Sequence, residues 1–152
     1  MSLEVYMSGL DKLGDSIESV RENLVNRKVL DSMAAEAKRL LLDRTAAGKD
    51  IQGAPFKPYS KPYRKAREKR GLSATRVDLK RTGEMLGDIS TESSLDKGFS
   101  TVSFNNRKSA LKAFFHHEEE SKREFFGLDA AGHDAVKMML EEHIDEVINN
   151  AH

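Results

Sequence analysis

All three prolines of this 152-residue chain fall within one short stretch, at Pro55, Pro58 and Pro62 of GAPFKPYSKPYRKAREKRG (Gly53 to Gly71). Proline has no backbone N–H and biases the residue before it away from the helical region, so residues 53–62 read as extended backbone. Phe56 is their one large apolar anchor. After Pro62 the run YRKAREKRG is rich in helix formers. Proline is tolerated in a first helical turn, where the missing N–H has no intrahelical partner to lose. The stretch therefore predicts an extended loop feeding a short basic helix that ends at Gly71.

The periodicity on either side differs. LEVYM, Leu3 to Met7, alternates apolar and polar residues and predicts a short strand. Leu10, Leu13, Ile17, Val20 and Leu24 then recur in steps of three and four, and Val29, Met33, Ala37, Leu40 and Leu41 continue the pattern. That spacing predicts one or two long amphipathic helices with a break near Asn26, stopping by Gly48, where Ala-Ala-Gly offers a C-cap. Beyond the basic helix, VDLKRTGEMLGDI predicts a short helical turn around Thr82-Gly83 that sets Leu79 and Leu86 on a core. Strands are expected at Ile89–Ser94 and Phe99–Phe104, joined through SSLDKG, with a third around Leu111–His116 and a short extended piece at Arg123–Phe126. From about Ala130 to Asn149, Val136, Met139, Leu140, His143 or Ile144, Val147 and Ile148 mark the apolar face of a last helix, with Asp129 or Asp134 favourable at its start. The order predicts one α+β domain over residues 1–152: an antiparallel sheet of about four strands packed with a long N-terminal helix or helix pair and a C-terminal helix.

A net charge of zero conceals an asymmetry. Ten basic residues between Lys57 and Arg81 face two acidic ones, Glu68 and Asp78, whereas from Glu118 onward ten acidic residues face Lys122, Arg123 and Lys137. Such a chain can meet copies of itself head to tail or neutralise itself internally. With no cysteine there is no disulfide, thiolate nucleophile or cysteine-based metal site, which suits a reducing compartment. No apolar run approaches the roughly 20 residues that cross a bilayer, and no membrane partner is expected.

Catalytic patterns are scarce. HHEEE at His116–Glu120 offers imidazoles beside carboxylates, but neighbouring side chains on a strand diverge, so His116 and His117 do not easily share one ion. His133 and His143 are nearly three helical turns apart. Ser60, Ser73 and Ser109 lie in no nucleophile elbow, and no glycine pattern matches a phosphate loop or a dinucleotide fingerprint. No cofactor or metal is expected, and the chain is not expected to be an enzyme. The basic run offers more: Lys57, Lys61, Arg64, Lys65, Arg67, Lys69 and Arg70 interleave with Phe56, Tyr59 and Tyr63, a composition that clamps phosphates and stacks bases without reading sequence. A small non-specific nucleic-acid-binding module using the 57–70 helix is one reading.

A second reading comes from four motifs in order. GAPFKPYS resembles the Gly-x-Pro-Trp-x-Pro-Leu-Ser element of the phage virion morphogenesis or tail completion family, carried by Gly53, Pro55, Phe56 in place of Trp, Pro58 and Ser60. VDLKRTGEML is similar to that family's Leu-x-x-Thr-Gly-x-Leu element through Leu79, Thr82, Gly83 and Leu86. KAFFHHEEE resembles its Tyr-Ala-x-x-His strand with His117 at the histidine, and REFFGLD is similar to its Arg-x-Phe-hydrophobic-Gly element through Arg123, Phe125 and Gly127. The resemblance implies a structural protein of a tailed bacteriophage or prophage that acts at the virion neck or tail and is assembled in the host cytoplasm. Its implied partners are its own copies in a ring, with a hexamer as one candidate order, and adjacent neck, connector or tail-terminator proteins. DNA passing through the channel would be met only non-specifically. On this reading Lys57, Lys61, Arg64, Lys65, Arg67, Lys69 and Arg70 are interface or channel-facing residues.

Overall fold

A computed structural model describes residues 17–20, 22–118 and 122–150. Residues 17–20 and 22–24 are helical, and α1 (Arg27–Ala46) follows after an interruption at Asn26. The cause is local. Asn26 is extended, and its side chain accepts the Val29 N–H at 2.9 Å, an N-cap that starts a new helix. At the other end Gly48 adopts φ +77°, with the Gly48 N–H on Thr45 O and the Lys49 N–H on Arg44 O. This is the paired bond pattern of a Schellman stop.

The order continues with α2 (Lys61–Glu68), α3 (Glu84–Gly87), β1 (Ile89–Ser94), β2 (Phe99–Phe104), α4 (Arg107–His117) and α5 (Ala130–Asn150). β1 and β2 form an antiparallel hairpin in which Ile89 faces Phe104, Thr91 faces Val102 and Ser93 faces Ser100. That face lies toward α1, to which Ser100 Oγ donates at Leu30 O, 2.9 Å. Phe99, Thr101 and Ser103 point outward. α5 packs along α1, and its start is capped by Asp129, whose carboxylate accepts the Gly132 N–H at 2.8 Å.

The fold is α+β, with a two-stranded sheet among the described residues. The strand expected at Leu3–Met7 lies outside the described residues. The strand expected at Leu111–His116 is instead part of helix α4. Asn106 caps it by accepting the Ser109 N–H at 2.9 Å, and its buried residues, Ser109 and Ala113, are four apart. The aromatic pair Phe114-Phe115 suggests a strand by propensity, but the inward face of this segment is made of small residues at helical spacing. Residues 123–125 carry no regular secondary structure and 126 is in a bend, so no strand forms there. They make one backbone bond to the loop after α1, from the Ile51 N–H to Glu124 O at 2.9 Å.

The core gathers Leu41, Phe56, Tyr59, Val77, Leu79, Met85, Ile89, Ala113 and Phe125. Phe56, the loop anchor, is therefore a core residue, and the proline loop is packed onto the body of the protein. Among the described residues no helix is long and apolar enough to cross a membrane.

Candidate functional site

The segments that carry the four motifs meet at the proline loop. Its first half is held to the end of α1: the Phe56 N–H bonds Gly48 O at 2.8 Å, and the Asp50 carboxylate accepts the N–H groups of Gln52 and Ala54. Gly53 sits at φ +80° in this turn, a region that favours glycine. The second half is clipped from a distant segment. Arg123 donates from Nε to Lys57 O at 3.0 Å and from Nη2 to Pro58 O at 3.2 Å, and its guanidinium lies 5.2 Å from the Tyr59 ring centre.

Arg67 makes the second clip. Pro62 lies in the first turn of α2 as expected; the helix ends at Glu68, three residues before the expected Gly71, which turns the chain at φ +67° with the Leu72 N–H on Arg67 O. The Arg67 side chain turns inward and is only 2% exposed. Nε donates to Ser73 O at 2.6 Å, Nη1 to Lys80 O at 3.2 Å and Nη2 to Asp78 Oδ1 at 2.9 Å. Asp78 also accepts the Lys80 N–H, which helps hold Leu79 at φ +53°, a left-handed conformation unusual for leucine. Thr82 and Gly83 serve the next turn: Thr82 Oγ1 accepts the Glu84 N–H, and Gly83 at φ +82° opens α3.

His117 is a structural acceptor. Its Nε2 takes the Phe126 N–H at 3.1 Å, so the neutral ring carries its proton on Nδ1, and it packs 5.6 Å from the Phe125 ring, which is fully buried. Burial holds the His116 and His117 imidazoles below the ordinary histidine range, with Arg123 adding to the effect on His116. Among the described residues no three histidine or acidic side chains gather as metal ligands.

Of the seven basic candidates, Lys57, Lys61, Arg64, Lys65, Lys69 and Arg70 are exposed and Arg67 is not. The structure corrects the expectation of a surface role for Arg67. A cleft of ≈ 1010 Å³ opens beside this region between the proline loop, α2, the 79–85 turn and α4. Lys57, Arg70, Arg81, Lys112 and Arg123 line it. Among the described lining residues the one acid is Glu84, which pairs with Lys112 at 3.0 Å, a bond that holds its carboxyl below the usual range.

Two features escape the sequence reading. Arg44, on the inward face of α1, donates from Nη2 to Phe125 O at 2.7 Å and to Gly127 O at 2.6 Å, pinning the turn that carries the last motif. A basic residue flanked by Leu41 and Thr45 on the apolar spacing was the available signal. The second is the outer face of α4, where Leu111, Phe114 and Phe115 are 44%, 57% and 65% exposed. Their spacing of three and four is legible in sequence as a helical stripe, but only with the segment assigned as helix. No family model, curated protein or solved structure matches this chain.

Proposed function

We propose that this chain is a non-enzymatic structural protein of a tailed bacteriophage or prophage, a tail completion or head-tail joining protein. It builds a ring around the DNA channel at the neck or the head-proximal end of the tail and contacts neighbouring neck, connector or tail-terminator proteins. The reading rests on the four ordered motifs. One observation adds to it: three polar side chains of those motifs, Thr82, His117 and Arg123, are committed to bonds within the protein. Arg123 holds Lys57 O and Pro58 O, His117 holds the Phe126 N–H, and Thr82 holds the Glu84 N–H. Groups committed to holding loops in place build a rigid body, and assembly then falls to the exposed surfaces around them.

The test is deletion of the coding sequence from the phage or prophage genome, followed by electron microscopy of the particles. Filled heads and complete tails that fail to join, restored by supplying the chain in trans, are the expected outcome. Joined, infectious particles without the chain overturn the proposal.

The cationic cleft favours a second reading, a module that grips nucleic-acid phosphates non-specifically. On this reading, reversing Lys57, Arg70 and Arg81, exposed residues that line the cleft, abolishes a strongly salt-dependent affinity for duplex DNA. On the first, the same change disturbs joining while the purified protein has no such affinity at moderate salt.

A further inference from the structure

We propose that the outer face of α4 is a docking surface for the outer face of α5 in a second copy of this chain, a head-to-tail contact. The inference deepens the reading of the chain as one that assembles with its own copies, and it names the two surfaces that meet.

The two faces are complementary in chemistry and separate in position. On α4, Leu111, Phe114 and Phe115 share one exposed side with Arg107 and Lys108, while Ser109 and Ala113 occupy the buried side. Three large apolar side chains at i, i+3 and i+4 on the surface form the kind of stripe that packs into a partner helix. Two cations border it; Lys108 pairs with Glu84 at 3.9 Å, as does Lys112, at the stripe's edge, at 3.0 Å.

On α5, Asp134, Met138, Glu141, Glu142 and Asp145 are exposed. At 100° per residue they fall on one side of the helix, opposite the half-buried Val136, Met139, His143 and Val147. Met138 is 57% exposed in the middle of this acidic side. Methionine adapts its shape to an aromatic neighbour and makes favourable sulfur–ring contacts. Placing Met138 against Phe114 and Phe115 brings Glu141, Glu142 and Asp145 within range of Arg107 and Lys108.

Stripe against stripe would bring Arg107 and Lys108 of both copies into one interface with no acid on either stripe to offset them, which like-charge repulsion opposes. A heterologous pairing avoids this, and a contact between two different patches propagates from copy to copy until it closes.

Sedimentation equilibrium of the full chain over increasing concentration tests this. Phe114→Glu and Glu141→Lys/Glu142→Lys change only exposed positions, and the exposed Lys137–Glu141 pair that the second removes contributes little, so each variant is expected to unfold close to the wild-type temperature. Wild type is expected to self-associate and to weaken with added salt, and each variant is expected to be monomeric. Mixed, the two variants are expected to form a heterodimer and stop, because each retains the face that the other has lost. Combining Arg107→Glu/Lys108→Glu with Glu141→Lys/Glu142→Lys in one chain is expected to restore association. The proposal is overturned by a monomeric wild type, by association that survives either variant, or by failure of the mixture to pair. The neck assignment is tested separately by particle morphology: self-association in a chain whose deletion leaves joined particles sinks that assignment alone, and a monomeric chain required for joining sinks this contact alone.

Discussion

The guanidinium of Arg67 lies 4.6 Å from the centre of the Tyr59 ring, so a cation from the basic run and an aromatic from the proline loop are packed together inside the protein. The contact joins α2 to the loop before it while the same side chain bonds Ser73 O, Lys80 O and Asp78. Arg67→Met keeps the bulk but leaves the carbonyls of Ser73 and Lys80 without this donor and takes the cation from Asp78, which keeps the Lys80 N–H. It is expected to cost about 2–3 kcal/mol, since buried acceptors lose a charge-assisted donor. Urea denaturation reads the loss. A variant as stable as wild type would mean that the buried network contributes nothing.

Arg123 holds the loop from the opposite side, through the carbonyls of Lys57 and Pro58. Arg123→Ala is expected to cost roughly 2 kcal/mol, the scale of charge-assisted hydrogen bonds, and to loosen the loop locally. Chymotrypsin under native conditions is the probe: cleavage after Phe56 or Tyr59 should accelerate. Unchanged cleavage at both sites would show that the proline loop is held without this clip.

Gly48 ends α1 at φ +77°, and a methyl group added there would lie 3.0 Å from Arg76 Cγ and 3.1 Å from Val77 O. Gly48→Ala combines left-handed backbone strain with a contact against a main-chain oxygen. A loss of about 1–2 kcal/mol is expected. Thermal unfolding measures it, and an unchanged midpoint would contradict the steric argument.

Burial lowers the proton affinity of His116 and His117 in the folded chain, with Arg123 acting in the same sense on His116 and Glu124 opposing it on His117. The unfolded chain therefore takes up protons first as pH falls below about 6.5. Their contribution to stability is complete above that pH and is lost as pH falls toward the lowered folded-state values. Melting temperature is expected to decline as pH falls below about 6.5. His117→Gln, which keeps an acceptor for the Phe126 N–H but does not titrate, should flatten part of the decline. An equally steep profile in the variant removes His117 from the account.

Elements with strong local causes were legible in the sequence. Asn26 and Gly48 mark helix ends because caps act within a few residues, Pro62 opens α2, and Ile89–Ser94 with Phe99–Phe104 form the expected hairpin. α4 reads as a strand in the sequence because Phe114 and Phe115 have strand propensity and stay exposed, whereas the residues that decide its register, Ser109 and Ala113, are small. Burial of small residues leaves little trace in hydrophobic periodicity.

The candidate site divides in the same way. By itself the sequence determined that residues 53–71 are an extended loop anchored by Phe56 and followed by a basic helix, because proline geometry and helix propensity are properties of a few adjacent residues. Only the tertiary structure decided which of its cations face solvent. Arg67 and Lys65 are equivalent to any count of charge, yet Arg67 is buried because carbonyls of Ser73 and Lys80, the Asp78 carboxylate and the Tyr59 ring converge on its side of α2. A guanidinium can leave water only where so many partners replace it, and those partners are brought together by the path of the chain from Ser73 to Lys80.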